Sequence, residues 1–487
     1  MSYQVGPVVW TSTPNVRNSP AVTIRLERSI MPKPLTFAVD EPTRARPSIA
    51  PFSIWITVLI CIGSAATAFT ADWPHWRGSQ RNGLVNEASG WNGSRWIDSK
   101  PTWSASVGEG ASSPLVIDEQ VFTLGYRDGH NVVSCLETQT GKTVWVTSYE
   151  TKPYGRNATG DEGLYSGPSS TPEFDSATQF LYTLGADGNL HGWDTRQRGA
   201  KVWYRNLYDD YHMPRRAKVG RSGQRDYGYT SSPLVHGDWL LVEVGGPAGA
   251  IMAFENRSGR EAWRSKATDV AGHSGGLAPI TVEGVPCVAA LTFEGLLVVR
   301  LDAARAGETV ATYPWVTDFA NNIATPAVQD DCVLITSEYN HRAMCKLRIT
   351  LHGADKLWEQ PFASKACTPV IHRDRIYVAW HRLRCLDWQT GELVWEGPPV
   401  GDAGSCVVTS DDKLIVWAGR GELVLADTTT PTETSYRELA RVSRLANNDV
   451  WPHVAVSNQQ ILCRDRSGNL LRFVVPTGGP KSADVRR

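Results

Sequence analysis

Short apolar runs separated by compact polar turns fill most of this 487-residue chain. LVHGDWLLVEV, starting at Leu234, and VIHRDRIYVAW, starting at Val370, each contain two apolar runs joined by such a turn. Runs of this length with many β-branched and aromatic residues predict strands, and the tight turns predict hairpins. The pattern therefore predicts an all-β protein.

A tryptophan that follows a hairpin recurs along the chain. In CLETQTGKTVW, an apolar run leads through a polar turn ending in glycine to the tryptophan. The copies, including weaker ones, end at Trp145, Trp203, Trp263, Trp315, Trp358 and Trp395. The turn glycines are Gly141, Gly259 and Gly391, where we expect a positive φ. We expect each tryptophan to be buried against a neighbouring repeat.

A second element follows each tryptophan: a step of small residues, often with proline, that leads into another strand. The copies lie at Pro114, Pro172, Pro233, Pro279, Pro326, Pro369, Val407 and Val454. Eight repeats of four short strands predict one eight-bladed β-propeller of four-stranded antiparallel blades. Trp103 has the tryptophan strand without its hairpin, so we expect this N-terminal strand to complete the last blade and close the ring.

The composition agrees with such a fold. Hydrophobic residues make up 41% of the chain, enough for a large core, and 43 glycines and 29 prolines suit a protein with many turns. The 49 basic and 50 acidic residues nearly cancel. We therefore expect no whole-chain attraction to nucleic acid or to an anionic membrane.

Residues 1–68 are predicted to be an N-terminal extension that ends in a signal peptide. An uncharged apolar stretch ends in Ala66 and Ala68, an A-x-A cleavage site. We expect cleavage after Ala68 and a periplasmic or secreted protein. The alternative is a membrane anchor over residues 51–71.

The rest of the chain divides simply. We predict a single propeller over residues 69–480 and a polar tail over residues 481–487. The start of translation is open between Met1 and Met31.

The nine cysteines include one in the export segment. The other eight show no zinc-type spacing, and we predict no metal site. Most of them lie in apolar strand-like runs, where a cysteine serves as a small core residue. One or two disulfides are the alternative.

These repeats resemble the pyrroloquinoline-quinone-like repeat family, with its pattern A-x-D-x-x-T-G-x-x-x-W. The family includes quinoprotein dehydrogenases and the propeller-type lipoprotein of outer-membrane assembly. The resemblance spans about residues 72–476, and the opening DWPHWRGSQRNG, residues 72–83, is similar to the start of an exported planctomycete-type subgroup. The family implies the fold but not one function, because it contains enzymes, scaffolds and sensor domains.

A dehydrogenase dependent on pyrroloquinoline quinone (PQQ) is the enzymatic alternative that the resemblance implies. Such enzymes typically hold the quinone between a tryptophan and a disulfide of adjacent cysteines, beside Ca²⁺ and an aspartate base. The chain has no adjacent cysteines, and we assign no residue to the Ca²⁺ or base positions. We favour a non-catalytic protein without a cofactor. A sensor domain related to kinase-linked propellers is a further alternative.

Two connections between blades, over residues 146–171 and 204–230, are longer than most of the others. They follow consecutive blades, so we expect them side by side on one face, where binding loops often lie. Tyrosine offers rigid contact area, and arginine offers a planar fork of donors for carboxylate or phosphate. Both residue types are frequent here.

We therefore predict a binding site for a glycan, an acidic ligand or a protein partner at the channel mouth beneath these loops. Its proposed residues are Tyr211, Arg215, Arg216, Arg225, Tyr229, His273, Asn322 and Trp451. The competing interpretation is that the loops only cover the ring and that the polar residues satisfy backbone groups and bind water.

Overall fold

Eight antiparallel sheets succeed one another along the chain in the computed structural model. The structure describes residues 72–151, 167–213, 228–317, 322–402, 404–428, 435–446 and 448–476. Seven sheets in this part of the chain have four strands, and one has three. This arrangement confirms the predicted eight-bladed β-propeller, and we number the blades in chain order.

Strands β2 to β17 form the first four blades. Blade one contains β2 Leu115–Ile117, β3 Gln120–Arg127, β4 His130–Glu137 and β5 Thr143–Glu150. Blade two contains β6 Glu173–Asp175, β7 Phe180–Leu184, β8 Asn189–Asp194 and β9 Ala200–Asn206. Blade three contains β10 Leu234–His236, β11 Trp239–Glu243, β12 Ile251–Glu255 and β13 Glu261–Arg264. Blade four contains β14 Ala278–Val282, β15 Val285–Leu291, β16 Gly295–Arg300 and β17 Thr309–Pro314.

Strands β18 to β31 form the remaining blades. Blade five contains β18 Ala327–Gln329, β19 Cys332–Ser337, β20 Ala343–Thr350 and β21 Gly353–Gln360. Blade six contains β22 Val370–His372, the 13-residue β23 Arg375–Asp387, and β24 Leu393–Gly401. Blade seven contains β25 Gly404–Val408, β26 Lys413–Ala418, β27 Glu422–Asp427 and β28 Glu438–Val442. Blade eight contains β29 Ala455–Ser457, β30 Gln460–Arg464 and β31 Asn469–Val474.

The fourth strand of blade eight comes from the N-terminal side of the propeller. Strand β1, Trp103–Ser106, pairs antiparallel with β31, with Trp103 opposite Arg472 and Ser106 opposite Asn469. The pairing gives β31 a partner along an edge that would otherwise be open. The predicted closure of the ring by the Trp103 strand is confirmed.

The first strand of each blade lies next to the central channel. First strands of successive blades contact one another, as β14 contacts β18 and β18 contacts β22, and β2 of blade one contacts β29 of blade eight. We call the end of the channel where the chain enters these strands the loop face. The opposite end, which carries the turn after each first strand, is the turn face.

The repeat tryptophan and the repeat glycine meet across blade boundaries. A Cβ atom on Gly141, Gly259 or Gly391 would lie only 2.5 to 2.7 Å from the nearest atom of the preceding blade, which belongs to Trp103, Trp203 and Gln360 respectively. All three glycines have φ between 66° and 73°. The indole N–H groups donate to carbonyls beside these turns: Trp103 to Thr138 (2.9 Å), Trp203 to Asn256 (2.9 Å), Trp358 to Trp388 (3.2 Å). The motif therefore joins neighbouring blades at these three boundaries.

Trp315 does not occupy the repeat position, which corrects its assignment from the sequence. In blade three the repeat tryptophan, Trp263, pairs with Ala253 at the β-bulge between the third and fourth strands. At the same bulge in blade four the residue is Ala311, which pairs with Val298. Trp315 lies just beyond the end of β17, is buried, and donates its indole N–H to Ser337 Oγ at 3.0 Å. Its proximity to the weak blade-four repeat made it resemble a repeat residue.

The eight cysteines of the propeller are buried and free, which agrees with the core interpretation. Helical structure within the described ranges is short: α1 Leu207–Asp210 and 3-10 turns at Thr195–Gln197 and Gly246–Ala248. In these ranges no helix is long and apolar enough to span a bilayer. The predicted signal peptide, its anchor alternative over residues 51–71 and the tail over residues 481–487 lie outside them.

Candidate functional site

Residues 72–88, which include the DWPHWRGSQRNG motif, run through the central channel, and we call them the plug. The plug contacts first strands of blades one, two and seven. Trp73 N donates to Val116 O of blade one (2.7 Å), and Phe174 N of blade two donates to Pro74 O (3.2 Å). Leu84 forms a parallel bridge with Val408 of blade seven. A segment with these partners must lie near the axis.

The side chain of Trp76 contacts several blades across the channel. Its indole N–H donates to Thr325 Oγ1 of blade five at 3.0 Å, and its ring lies edge-on to His453 of blade eight at 5.3 Å. A Cβ atom on Gly275 or Gly276 of blade four would lie within 2.8 or 2.9 Å of the same ring. Glycine at these positions therefore makes room for the indole.

Arg77 is buried against blade six with only 2% of its surface exposed. Its Nη2 donates to Pro369 O (2.6 Å) and to Asn82 O (3.1 Å). Burial lowers the pKa of its guanidinium to about 10, so the group remains charged at neutral pH.

Glu173, the first residue of β6, pairs with Arg81 and His75 of the plug. Its carboxylate accepts hydrogen bonds from Arg81 Nη1 at 2.9 Å and from Val235 N at 2.8 Å, and it contacts His75 Nδ1 at 3.0 Å. Burial alone would raise the pKa of Glu173, but Arg81 and His75 together outweigh it and hold the pKa at about 2. This network fixes the plug to blade two.

Both ends of the plug lie at the turn face. Asp72 accepts a hydrogen bond from Asp118 N, in the turn after β2. Glu87 accepts from Asn458 N and Gln459 N, in the turn after β29, both at 2.6 Å. The plug thus enters and leaves the channel at the turn face. Trp76 is the part of the plug nearest the loop face.

Hydroxyl groups link the blades around the loop-face end of the channel. Each bond joins the entry segments or first strands of neighbouring blades. They are Ser113 N to Thr171 Oγ1 (3.0 Å), Thr171 N to Ser232 Oγ (2.9 Å), Ser232 Oγ to Gly275 O (2.7 Å), Thr325 N to Thr368 Oγ1 (3.0 Å), Val454 N to Ser405 Oγ (3.1 Å) and His453 N to Ser113 Oγ (2.7 Å). These side chains satisfy backbone groups between blades.

Three of the predicted site residues are buried at or beside this end of the channel. Tyr229 is 2% exposed and donates its hydroxyl to Val244 O at 3.2 Å. Asn322 donates to Thr292 O and Trp315 O, at 2.7 and 2.8 Å. His273 is 4% exposed and packs edge-on against Phe293 at 5.1 Å.

The long connections carry the other predicted residues. Tyr211 follows helix α1 and is half-buried, with its ring beneath Arg264 at 5.8 Å and its hydroxyl 3.4 Å from Glu261 Oε2. Arg215, Arg216 and Arg225 lie outside the described residues.

Trp451 belongs to a group that the sequence did not predict. Lys365 Nζ lies 5.0 Å from the ring centre of Tyr339 and 5.8 Å from that of Trp451. The guanidinium of Arg466 also lies near Trp451, 4.6 Å from its ring centre. Arg466 Nη1 is 3.8 Å from Asp449 Oδ2. We call Tyr339, Lys365, Trp451 and Arg466 the loop-face cluster. Its members come from four separate connections, so no local motif identifies it.

Trp76 and Glu173 are the channel residues to compare with the quinone site of a quinoprotein dehydrogenase. Trp76 offers an indole plane, whereas Glu173 is already bonded to Arg81 and contacts His75. Within the described part of the chain, no three His, Cys, Asp or Glu side chains gather as metal ligands.

Solved propellers have similar structures at low sequence identity. BamB from Moraxella catarrhalis has a TM-score of 0.53 at 14% identity, covering 77% of this chain and 99% of its own. Quinohemoprotein alcohol dehydrogenase from Comamonas testosteroni has a TM-score of 0.54 at 11% identity, covering 86% and 82%. The computationally designed protein Ika8 has a TM-score of 0.51 at 10% identity, covering 76% and 98%. These similarities show the fold alone.

Sequence comparison gives the family. No curated protein sequence matches the chain. The family model described as outer membrane protein assembly factor BamB matches residues 129–397, more than half of the chain. With its eight blades and tryptophan repeats, the chain belongs to this family of pyrroloquinoline-quinone-like propellers.

Proposed function

We propose that this protein is an exported, non-catalytic binding propeller that holds an acidic segment of a protein partner on its loop face. The observation that supports this most directly is Lys365, which lies between two aromatic rings. It is half-buried, and it makes no ion pair with a carboxylate of the described residues.

An acidic ligand suits the electrostatics of the cluster. A lysine ammonium carries three donors, and ring faces satisfy its charge only partly. A carboxylate placed above Lys365 would gain charge-assisted hydrogen bonds in a partly desolvated place. Arg466 lies beside it, stacked on Trp451, and offers a planar fork that is partly engaged by Asp449.

A protein partner suits the residue types. Tryptophan, tyrosine and arginine are the residues that most often dominate the binding energy of protein interfaces. Trp451 and Tyr339 are both half-buried, so they keep a fixed ring position while still exposing surface. The family name, outer membrane protein assembly factor, agrees with a scaffold role without identifying a partner for this chain.

The direct test measures the binding of a short, fluorescently labelled peptide of alternating glutamate and leucine. Fluorescence anisotropy of the peptide reports the binding. We expect saturable binding that weakens in high salt, and no binding of the lysine–leucine counterpart. Trp451→Ala and Lys365→Gln should each weaken binding about tenfold or more, the loss typical of an interface hot spot.

A matched control is available in blade two. Lys201 lies 5.9 Å from the ring centre of Tyr204 in an exposed cation–aromatic pair outside the cluster. Lys201→Gln should leave peptide binding unchanged. Equal losses for Lys201→Gln and Lys365→Gln, or no loss for either cluster variant, would contradict the proposed site.

The enzymatic alternative has its own test. Added PQQ with Ca²⁺ should give neither a stoichiometric complex nor dye-linked oxidation of alcohols or sugars. Turnover of either substrate class would overturn the non-catalytic proposal, whatever the peptide result.

A further inference from the structure

A polar cleft of about 410 Å³ opens on the turn face between the plug and blades five and six. The plug contributes Arg77 and Asn82 to its walls, blade five contributes Gln329 and Asp330, and blade six contributes His372 and Arg373. The volume lies within the range of small-molecule sites in proteins. The cleft is at the opposite end of the channel from the loop-face cluster, so it is independent of the proposed function.

The charge of Arg77 has no carboxylate partner in the described part of the protein. Nη2 of its guanidinium is bonded to the carbonyls of Pro369 and Asn82. Its Nε is buried without a hydrogen-bond partner among the described residues, and no ion pair involves its Nη1. A buried charge that is not paired destabilises a protein, and Arg77 lines an open cleft. An anion in the cleft would relieve this cost.

The rim of the cleft carries charges of both signs. Arg373 has 61% of its side chain exposed. Its Nη2 lies 2.8 Å from Asp412 Oδ2, and His372 Nε2 lies 2.8 Å from Oδ1 of the same carboxylate. Asp330, in the turn after β18, contributes a carboxylate that makes no ion pair within the described ranges. A bound anion would therefore be attracted by Arg77 and Arg373 and repelled by Asp330.

We propose that this cleft is a binding site for a small carboxylate. A carboxylate complements the positive charge of Arg77 and fits a cleft of this size. Asn82 and Gln329, at the same walls, supply amide groups that hydrogen-bond the remainder of a polar ligand. Arg373 closes the site from the rim.

The experiment is isothermal titration of the whole propeller with malonate, compared with chloride at constant ionic strength. We expect malonate to bind in the millimolar range and chloride to give no saturable heat. Arg373→Asn should weaken malonate binding about threefold to fivefold, because it removes one exposed charge at the rim. Asp330→Asn should strengthen it about threefold, because it removes a repulsive carboxylate.

Both rim substitutions preserve the local backbone. Arg373 and Asp330 have φ of 45° and 54°, a conformation that asparagine tolerates well. The controls are Arg342→Asn and Asp402→Asn, exposed residues of blades five and six on the loop face, which should not change malonate binding. Arg77→Lys should weaken binding about tenfold or more, because an ammonium that keeps the carbonyls of Pro369 and Asn82 has one donor left for the ligand.

Opposite shifts in Arg373→Asn and Asp330→Asn, with unchanged controls, would establish the site even if Arg77→Lys does not fold. Absence of malonate binding to the wild-type protein would overturn the proposal. So would malonate binding that neither rim substitution alters.

Discussion

The interior of the central channel and the loop-face cluster are built in different ways. Within the channel the plug is held by bonds to buried groups, including those of Arg81 to Glu173 and of Arg77 to Pro369 O. In the loop-face cluster Trp451 and Lys365 are only half-buried, and Lys365 lies beside aromatic rings. The channel interior has the desolvated polar contacts that affect stability most, whereas the cluster keeps groups available to a partner. The difference predicts that stability depends mainly on the channel interior and that binding depends on the cluster.

Glu173→Ala should produce the largest effect, a loss of roughly 3–5 kcal/mol of unfolding free energy. The substitution leaves Arg81 and His75, whose side chains are only 10% and 20% exposed, without their carboxylate. Denaturant unfolding measures the loss. Glu255→Ala, which removes an exposed pair with Arg260, is the matched control and should leave unfolding nearly unchanged. Wild-type stability of Glu173→Ala would show that the plug is not anchored as described.

Acid should weaken the same anchor over a defined range. The pKa of Glu173 is about 2 in the folded protein and 4.5 ordinarily, so its stabilisation is complete above pH 4.5 and is lost as the pH falls towards 2. The difference in unfolding free energy between the wild type and Glu173→Gln should narrow by roughly 3 kcal/mol over this range. Urea unfolding at several pH values tests this, and a constant difference would argue against a charged Glu173 in the fold.

Ser232→Ala should have a smaller effect, about 1–3 kcal/mol. Its hydroxyl accepts from Thr171 N at 2.9 Å and donates to Gly275 O at 2.7 Å, so removal leaves a buried N–H without a partner. Ser258→Ala, an exposed hydroxyl of the same blade, serves as the control. Equal melting temperatures for the two variants would show that the hydroxyl links contribute nothing to ring stability.

Trp451→Ala should have the smallest effect on unfolding, below about 1 kcal/mol, because the side chain is half-exposed at the loop face. Trp395→Ala is the internal standard, since Trp395 is only 8% exposed and its loss should cost roughly 3–5 kcal/mol. Thermal unfolding of the two variants side by side measures the contrast. Comparable destabilisation would mean that Trp451 is a structural residue and would weaken the distinction between the channel interior and the loop-face cluster.

The blades could be predicted from the sequence because their signals are local and repeated. The hairpin turn at Gly259 and the tryptophan at Trp263 recur at spacings that only a repeated sheet explains. Trp315 was misassigned because blade four has alanine at the repeat position, and the nearest tryptophan lies beyond the strand. Local composition could not reveal that difference, which depends on strand register.

The plug and the loop-face cluster could not be predicted in the same way. The partners of Trp76 lie in blades four, five and eight, so its role appears only when the ring is assembled. Trp451 was among the predicted residues, but Lys365 comes from a short connection with no unusual composition. The hydroxyl residues at the channel end looked equally suited to binding and to structural bonding, and their burial became visible only in three dimensions.

The pairing of β1 with β31 has a consequence for the order in which the protein is made. Trp103 is synthesised before any blade, yet its partner Arg472 is almost the last part of the propeller to emerge. The ring therefore cannot close on a nascent chain until its synthesis is nearly complete. The plug, residues 72–88, also precedes every blade, so the eight blades must gather around a segment that is already present. A chain cut short before β31 would keep an open strand edge, a feature that favours aggregation and degradation.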